Sequence, residues 1–313
     1  MYRIDHCPCC ARRMVPLCPA LVAPFLAERV LHGTAPVCAL MACPGCDFRC
    51  FDIRLDAAEM DRLYRDYRGG TYFSQRNRWE PWYTRGINDS LGRDPADIAD
   101  RKRLTVETVA SQGAWRPRSI LDFGGDHGQF IPDAWEAGRY VLDLSGKPPV
   151  AGVEAFRNLG EAGDRRFDLV MTSQVFEHLS DPWETLGTIR SLVAPSGLLY
   201  LDVPLERPDI QWARVSPWDA ATLPWLAARP RLLRWLDFYS SAARVKANLI
   251  PPLGFLKASE HLNFFSAESL HALFARAGFQ TLQVRRHRFR TSGGVCDFLV
   301  GLARLPQGAG EAP

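Results

Sequence analysis

"SILDFGGDHGQFIP", residues 119–132, decides how the rest of the chain reads. An apolar run ends in Asp122 and opens into Gly124, Gly125 and Gly128. A short apolar run closed by glycines reads as a buried strand entering a turn. Without a Cβ at those positions, backbone N–H groups and a small ligand can approach closely. "RYVLDLS" at 139–145 repeats the device, with Asp143 at the end of a second apolar run. An acid there can accept hydrogen bonds from both hydroxyls of a ribose. A carboxylate at the first turn suits a ligand with a cationic centre and an amino acid portion better than it suits a pyrophosphate.

Outward from this turn, strand and helix patterns alternate. A helix is expected over 98–111 and a short one over "QFIPDAWEAG" (129–138). Further strands are expected near "GVEAF" (152–156), at "FDLVMTSQ" (167–174) and at "LLYLDVP" (198–204). Asp181 and Pro182 open a helix, and Ser266 caps another that stops before Gly278. "QTLQVRRH" and "VCDFLVGLAR" read as the final strands. The alternation predicts an α/β fold with a parallel, doubly wound sheet and ligands at the carboxyl ends of its strands.

Eight of the nine cysteines lie within residues 1–50, which marks off a small N-terminal module at 1–55. A connector at 56–100 follows, opened by a helix with the Asp56–Glu59 capping pattern and ended by "RGG" at 68–70. The main domain spans 101–305, with a helical insertion at 205–257 after the fifth strand and a disordered tail at 306–313. The N-terminus has no apolar signal segment and no apolar run is long enough to span a bilayer, so a soluble, cytoplasmic protein is expected. A net charge of +3 gives no strong field for nucleic acid.

"DFGGDHG" resembles the first motif of class I S-adenosylmethionine-dependent methyltransferases, with Asp126 where the family has its middle glycine and Gly125 beside it. "YVLDLSG" resembles their second motif. Residues 167–204 resemble the fourth strand, following helix and fifth strand, and "EHLNFFSAESLHALFARAGFQ" (260–280) resembles the late segment of a branch acting on sugars and small molecules. The resemblance implies a Rossmann-like fold that binds S-adenosylmethionine through Asp122, Gly124, Gly125, Gly128, Asp143 and Gln174. It implies a small-molecule acceptor, with a sugar, nucleotide-sugar or glycan intermediate first. Glu177 and His178 directly follow the fourth strand, where an imidazole oriented by a carboxylate can act as base. A scaffold role for the pair and a metal-ligand role for His178 stay open. His261 is a candidate second base.

"CPCC" (7–10) and "CPGC" (43–46) supply Cys7, Cys10, Cys43 and Cys46 as ligands for a closed, structural Zn²⁺. The module also resembles the N-terminal zinc-binding segment of some deoxysugar C-methyltransferases. Cys9, Cys18, Cys38, Cys50 and His6 remain alternative ligands, and a redox dithiol the alternative chemistry. The insertion carries Trp212, Trp218, Trp225, Trp235, Phe238 and Tyr239 beside Arg229, Arg231, Arg234, Arg244 and Lys246. It reads as a lid over an anionic acceptor, ahead of an aromatic-filled hairpin or a membrane-touching face. Competing functions are a nicotinamide-dependent oxidoreductase, an inactive methyltransferase-like scaffold and an RNA-gripping zinc ribbon.

Overall fold

The computed structural model describes residues 1–208, 219–247, 255–291 and 294–306. Trp212, Trp218 and tail residues 307–313 lie outside the described residues, as do the side chains of Arg244 and Lys246. Contacts divide the chain into two compact units. One holds Met1–Cys7, Ala11–Asp89 and Glu206–Phe264; the other holds Pro8–Cys10, Ser90–Leu205 and Phe265–Pro313.

The chain begins with β1 (Tyr2–Arg3), β2 (Val15–Val22), α1 (Pro24–Val30), β3 (Val37–Ala42), β4 (Arg49–Phe51) and β5 (Ile53–Arg54). β2, β3 and β4 form an antiparallel meander, and β1 pairs with β5. α2 (Ala57–Tyr64) starts at a reciprocal cap: Glu59 N donates to Asp56 and Asp56 N donates to Glu59. It ends at Tyr64, before the glycines, which lead instead into α3 (Gly70–Trp79); α4 (Arg85–Ser90) follows.

The second unit opens with α5 (Pro95–Ala110), its first turn capped by Asp94, whose carboxylate accepts from Ala96 N. Then come β6 (Ser119–Phe123), β7 (Gly138–Leu142), β8 (Glu154–Phe156), α6 (Leu159–Ala162), β9 (Phe167–Ser173), α7 (Pro182–Leu192) and β10 (Val193–Pro204). Asp181 caps α7 by accepting from Trp183 N and Glu184 N. The helix expected over 129–138 does not form; residues 124–137 run as turns. Pro132 lacks an N–H, and the five residues between it and β7 are too few to carry a helix of their own. Isolated bonds such as Gly128 N to Gly125 O and Ile131 N to Gly128 O hold the crossover instead, with Ile131 buried beneath it.

α8 (Asp219–Ala227) and α9 (Pro230–Ala247) precede β11 (Lys257–Ala258) and β12 (Asn263–Phe264), and all four belong to the first unit. β11 runs parallel to β2 and β12 antiparallel to β4, giving the sheet order β11-β2-β3-β4-β12. Leu223 and Leu226 of α8 and Leu233 of α9 share one core with Leu21, Leu26, Leu40 and Phe51. The N-terminal segment, the connector helices and the insertion are therefore parts of one compact unit, knitted by strand pairs far apart in sequence.

The chain closes with α10 (Ala267–Arg276), held by a Ser266–Ser269 capping box, then β13 (Gln280–Thr291) and β14 (Gly294–Arg304). The seven-stranded sheet has the order β13-β14-β10-β9-β6-β7-β8. β6 through β10 pair in parallel, whereas β14 is antiparallel to β10. The sheet is thus mixed and not wholly parallel, because β13 and β14 are joined as a hairpin with no crossover helix between them. Ile120, Leu169, Leu198 and Val300 pack with Leu104 and Val109 of α5 into a core on one face.

Candidate functional site

Parallel pairing aligns the carboxyl ends of β6, β7 and β9 and puts Asp122, Asp143 and Gln174 at that edge. Gly124 and Gly128 take φ of +74° and +71°, where glycine is favoured. Asp126, at the motif's middle-glycine position, also sits left-handed at φ +54°. Aspartate is among the few residues that tolerate this region, so the departure in sequence preserves the backbone shape. Gly125 is needed for a different reason: a Cβ there would lie 2.3 Å from the Asp122 carboxyl carbon. At Gly124 a Cβ would meet Val175 at 2.8 Å, which brings the turn against the segment that follows β9.

Asp143 ties the turn together. Its Oδ2 accepts from Asp126 N (2.9 Å) and its Oδ1 from Ser145 N (2.8 Å), leaving acceptor capacity on both oxygens. Asp126 is paired with Lys147 at 2.7 Å. Gln174 is left-handed (φ +57°), its N donates to Asp202 O, and its buried Nε2 has no hydrogen-bond partner among the described residues.

Asp122 is fully buried, and neither carboxylate oxygen has a hydrogen-bond partner among the described residues. Burial first, then the nearby Asp202 and Asp143, push its carboxyl up to about 8, against the pull of Arg101. Asp202, near the end of β10, is a buried acid at the same edge that was not singled out in the sequence. It shares a sheet face with Asp122, since Asp122 is in register with Met171 and Asp202 with Ser173, two residues further along β9. Ser173 donates to it at 2.6 Å, Arg101 lies 3.6 Å away, and burial raises its carboxyl too. The signal was available: "LLYLDVP" is another apolar run with an acid near its end. Arg101 is held by Asp97 and surrounded by the rings of Phe130, Phe289 and Phe298.

Beyond Gln174 and Val175 a single 3-10 turn, Phe176–His178, presents the Glu-His pair. Glu177 is buried, His178 is partly exposed, and His178 Nε2 is 3.9 Å from Glu177 Oε1. That is ion-pairing distance for an imidazolium and too long for a hydrogen bond in this arrangement. His261 belongs to the first unit, where its Nδ1 lies 2.9 Å from Glu206 Oε2.

The two Cys-Pro-x-Cys segments fold alike. Ala11 N donates to Cys7 O and Cys7 N to Arg12 O; Asp47 N donates to Cys43 O and Cys43 N to Phe48 O. Each knuckle ends in a left-handed residue, Ala11 (φ +61°) or Asp47 (φ +57°). All four sulfurs, of Cys7, Cys10, Cys43 and Cys46, lie within 4.8 Å of one another, with Cys7 and Cys46 at 3.6 Å. Tetrahedral Zn–S bonds of about 2.3 Å set sulfurs about 3.8 Å apart, so the donor set fits that ion. Cys18 and Cys38 are instead buried in the core of the first unit, where burial raises the Cys38 thiol far above its ordinary range. Cys50 is buried with its Sγ 3.7 Å from Met14 Sδ, its thiol pushed up to about 11 by desolvation.

The family described as "Methyltransferase domain" matches residues 98–284, more than half of the chain. No curated protein matches. Among solved structures, 1,6-didemethyltoxoflavin-N1-methyltransferase of Burkholderia thailandensis is similar at 17% identity, over 86% of this chain and 96% of that one, with a TM-score of 0.49. The N-methyltransferase NodS of Bradyrhizobium japonicum WM9 shares 13% identity over 68% of this chain and 99% of its own, at 0.38. The glycopeptide N-methyltransferase MtfA gives 13%, 66%, 90% and 0.39. By the family match, and with a strand order and glycine turn that agree with it, the chain belongs to the methyltransferase-domain family, as a class I S-adenosylmethionine-dependent enzyme.

Proposed function

We propose that the protein transfers the methyl of S-adenosylmethionine to a small-molecule acceptor of the saccharide class, a sugar, nucleotide-sugar or glycan intermediate. The observation that carries the donor half is Asp122: a buried carboxylate without a hydrogen-bond partner among the described residues, beside Gly125 and next to two further acids. A cationic, hydrogen-bond-donating ligand relieves that cost, and a phosphate-bearing dinucleotide adds to it.

When bound, S-adenosylmethionine supplies an electrophilic methyl on a sulfonium. Asp143 keeps lone pairs for the ribose hydroxyls while its other contacts fix the turn. Asp122 takes the cationic amino acid portion, Gln174 offers its buried amide N–H, and Gly124, Gly125 and Gly128 leave room for both. Methyl transfer is an in-line displacement that rests mainly on positioning. A hydroxyl acceptor must also lose a proton; His178 takes it, and Glu177 stabilises the imidazolium across 3.9 Å. Cys7, Cys10, Cys43 and Cys46 would hold a Zn²⁺ whose part is structural, since four thiolates complete its ordinary donor set.

Incubating the protein with methyl-labelled S-adenosylmethionine and a panel of nucleotide sugars, free sugars and amines tests the proposal. Label in a sugar supports it; label only in amines overturns the acceptor class. Absence of S-adenosylmethionine binding overturns the donor.

A further inference from the structure

The exposed face of α8 and α9 inverts the usual pattern of a surface helix. α9 buries Leu233 together with Asp237, Ser240 and Ser241. Lys257 anchors that polar side, 2.9 Å from Asp237 and 3.3 Å from Glu80, inside the first unit. Its outward side carries Arg231, Arg234, Trp235, Phe238 and Tyr239. Trp235 is 63% exposed, Phe238 48% and Tyr239 39%, and on α8 Trp225 is 51% exposed beside Arg229. Large aromatic groups are seldom left in water at this density without a use.

We infer that this aromatic, arginine-bearing face docks the protein on an anionic lipid surface. Charge complementarity selects the partner: the exposed residues between Ala221 and Tyr239 include three arginines and no carboxylate, and the acid within that stretch, Asp237, is buried. Ordinary soluble surfaces intersperse both signs. The rings also pack against in-chain neighbours. Trp235 stacks on Tyr239 at 5.9 Å and 14°, Arg229 covers Trp225 at 4.0 Å, and Phe238 leans on Trp82 at 5.8 Å. A plated surface of Trp, Tyr and Arg matches the headgroup layer, where amphipathic rings sit and guanidinium groups meet lipid phosphate. No helix among the described residues is long and apolar enough to cross a membrane, so the contact is peripheral.

Vesicle co-sedimentation of the full chain tests this, using phosphatidylcholine vesicles with and without 30% phosphatidylglycerol at two salt concentrations. Binding is expected only with the anionic lipid, weakening at high salt. Replacing Arg229, Arg231 and Arg234 by Gln lowers the partition coefficient about a hundredfold, at about tenfold per 1.4 kcal/mol and about 1 kcal/mol per basic residue. Trp225→Ser with Trp235→Ser lowers it at least tenfold; both tryptophans are more than half exposed, so an unchanged melting midpoint is expected. Failure to bind anionic vesicles, or equal binding by wild type and both variants, overturns the inference. So does concentration-dependent dimerisation abolished by the tryptophan changes, which assigns the face to a second copy.

Discussion

Replacing Asp122 by Asn separates what this residue does for the fold from what it does for the ligand. Its carboxyl is raised to about 8 in the folded chain, against 3.8 ordinarily, chiefly by burial. Between those values the folded state holds a proton that the unfolded chain has released. The unfolded state therefore binds fewer protons, and stability falls as pH rises. The stability difference between Asp122→Asn and wild type should widen by about 1.4 kcal/mol per pH unit from about pH 4 and level off above about pH 8. At pH 7 the gap from 3.8 amounts to about 4 kcal/mol in favour of the variant. The assay is denaturant unfolding of both proteins at pH 5, 6, 7 and 8, each with and without S-adenosylhomocysteine. Ligand at a hundred times its Kd stabilises wild type by about 2.7 kcal/mol, and the same concentration should leave the variant nearly unmoved. Parallel pH curves would refute the burial argument; equal stabilisation by ligand would refute the binding role.

Gly125→Ala places a methyl 2.3 Å from the Asp122 carboxyl carbon, so it should cost about 1–3 kcal/mol of stability and abolish cofactor binding, read by unfolding and calorimetry. His178→Ala should lower kcat by about 10² to 10⁴ while leaving the cofactor Kd within a factor of two; equal turnover removes the assignment as base. Cys43→Ser should reduce bound zinc from about one ion per chain to nearly none by elemental analysis, and lower the thermal midpoint. A wild-type protein purified without metal contradicts the four-thiolate reading.

β6 and β7 of the second unit were legible because each is an apolar run with an acid at its end, as in "SILDFG" and "RYVLDLS", and β9 and β10 because "FDLVMTS" and "LLYLDVP" are apolar runs of strand length. The caps at Asp56, Asp181 and Ser266 were legible because a helix N-terminus needs acceptors for its free N–H groups. The turns at 129–137 carried a helix-like apolar spacing that Pro132 overrides. The pairings of β11 with β2 and of β12 with β4 could not be read locally. They join two-residue strands to segments some 210 to 240 positions earlier, and so short a strand carries no periodicity. The same distance hid a buried polar cluster of the first unit, in which Glu260 accepts from the Tyr72 hydroxyl and Arg76, and Lys257 bridges Glu80 and Asp237.

The most direct test of the glycine turn is calorimetric titration of S-adenosylmethionine at pH 7 in buffers of different ionisation enthalpy, with NADH as control. A buried acid that is protonated when free and ionised against a cationic ligand should release close to one proton per molecule bound, and NADH should give no heat of binding. Binding of NADH, or no heat from S-adenosylmethionine in any buffer, would contradict the account.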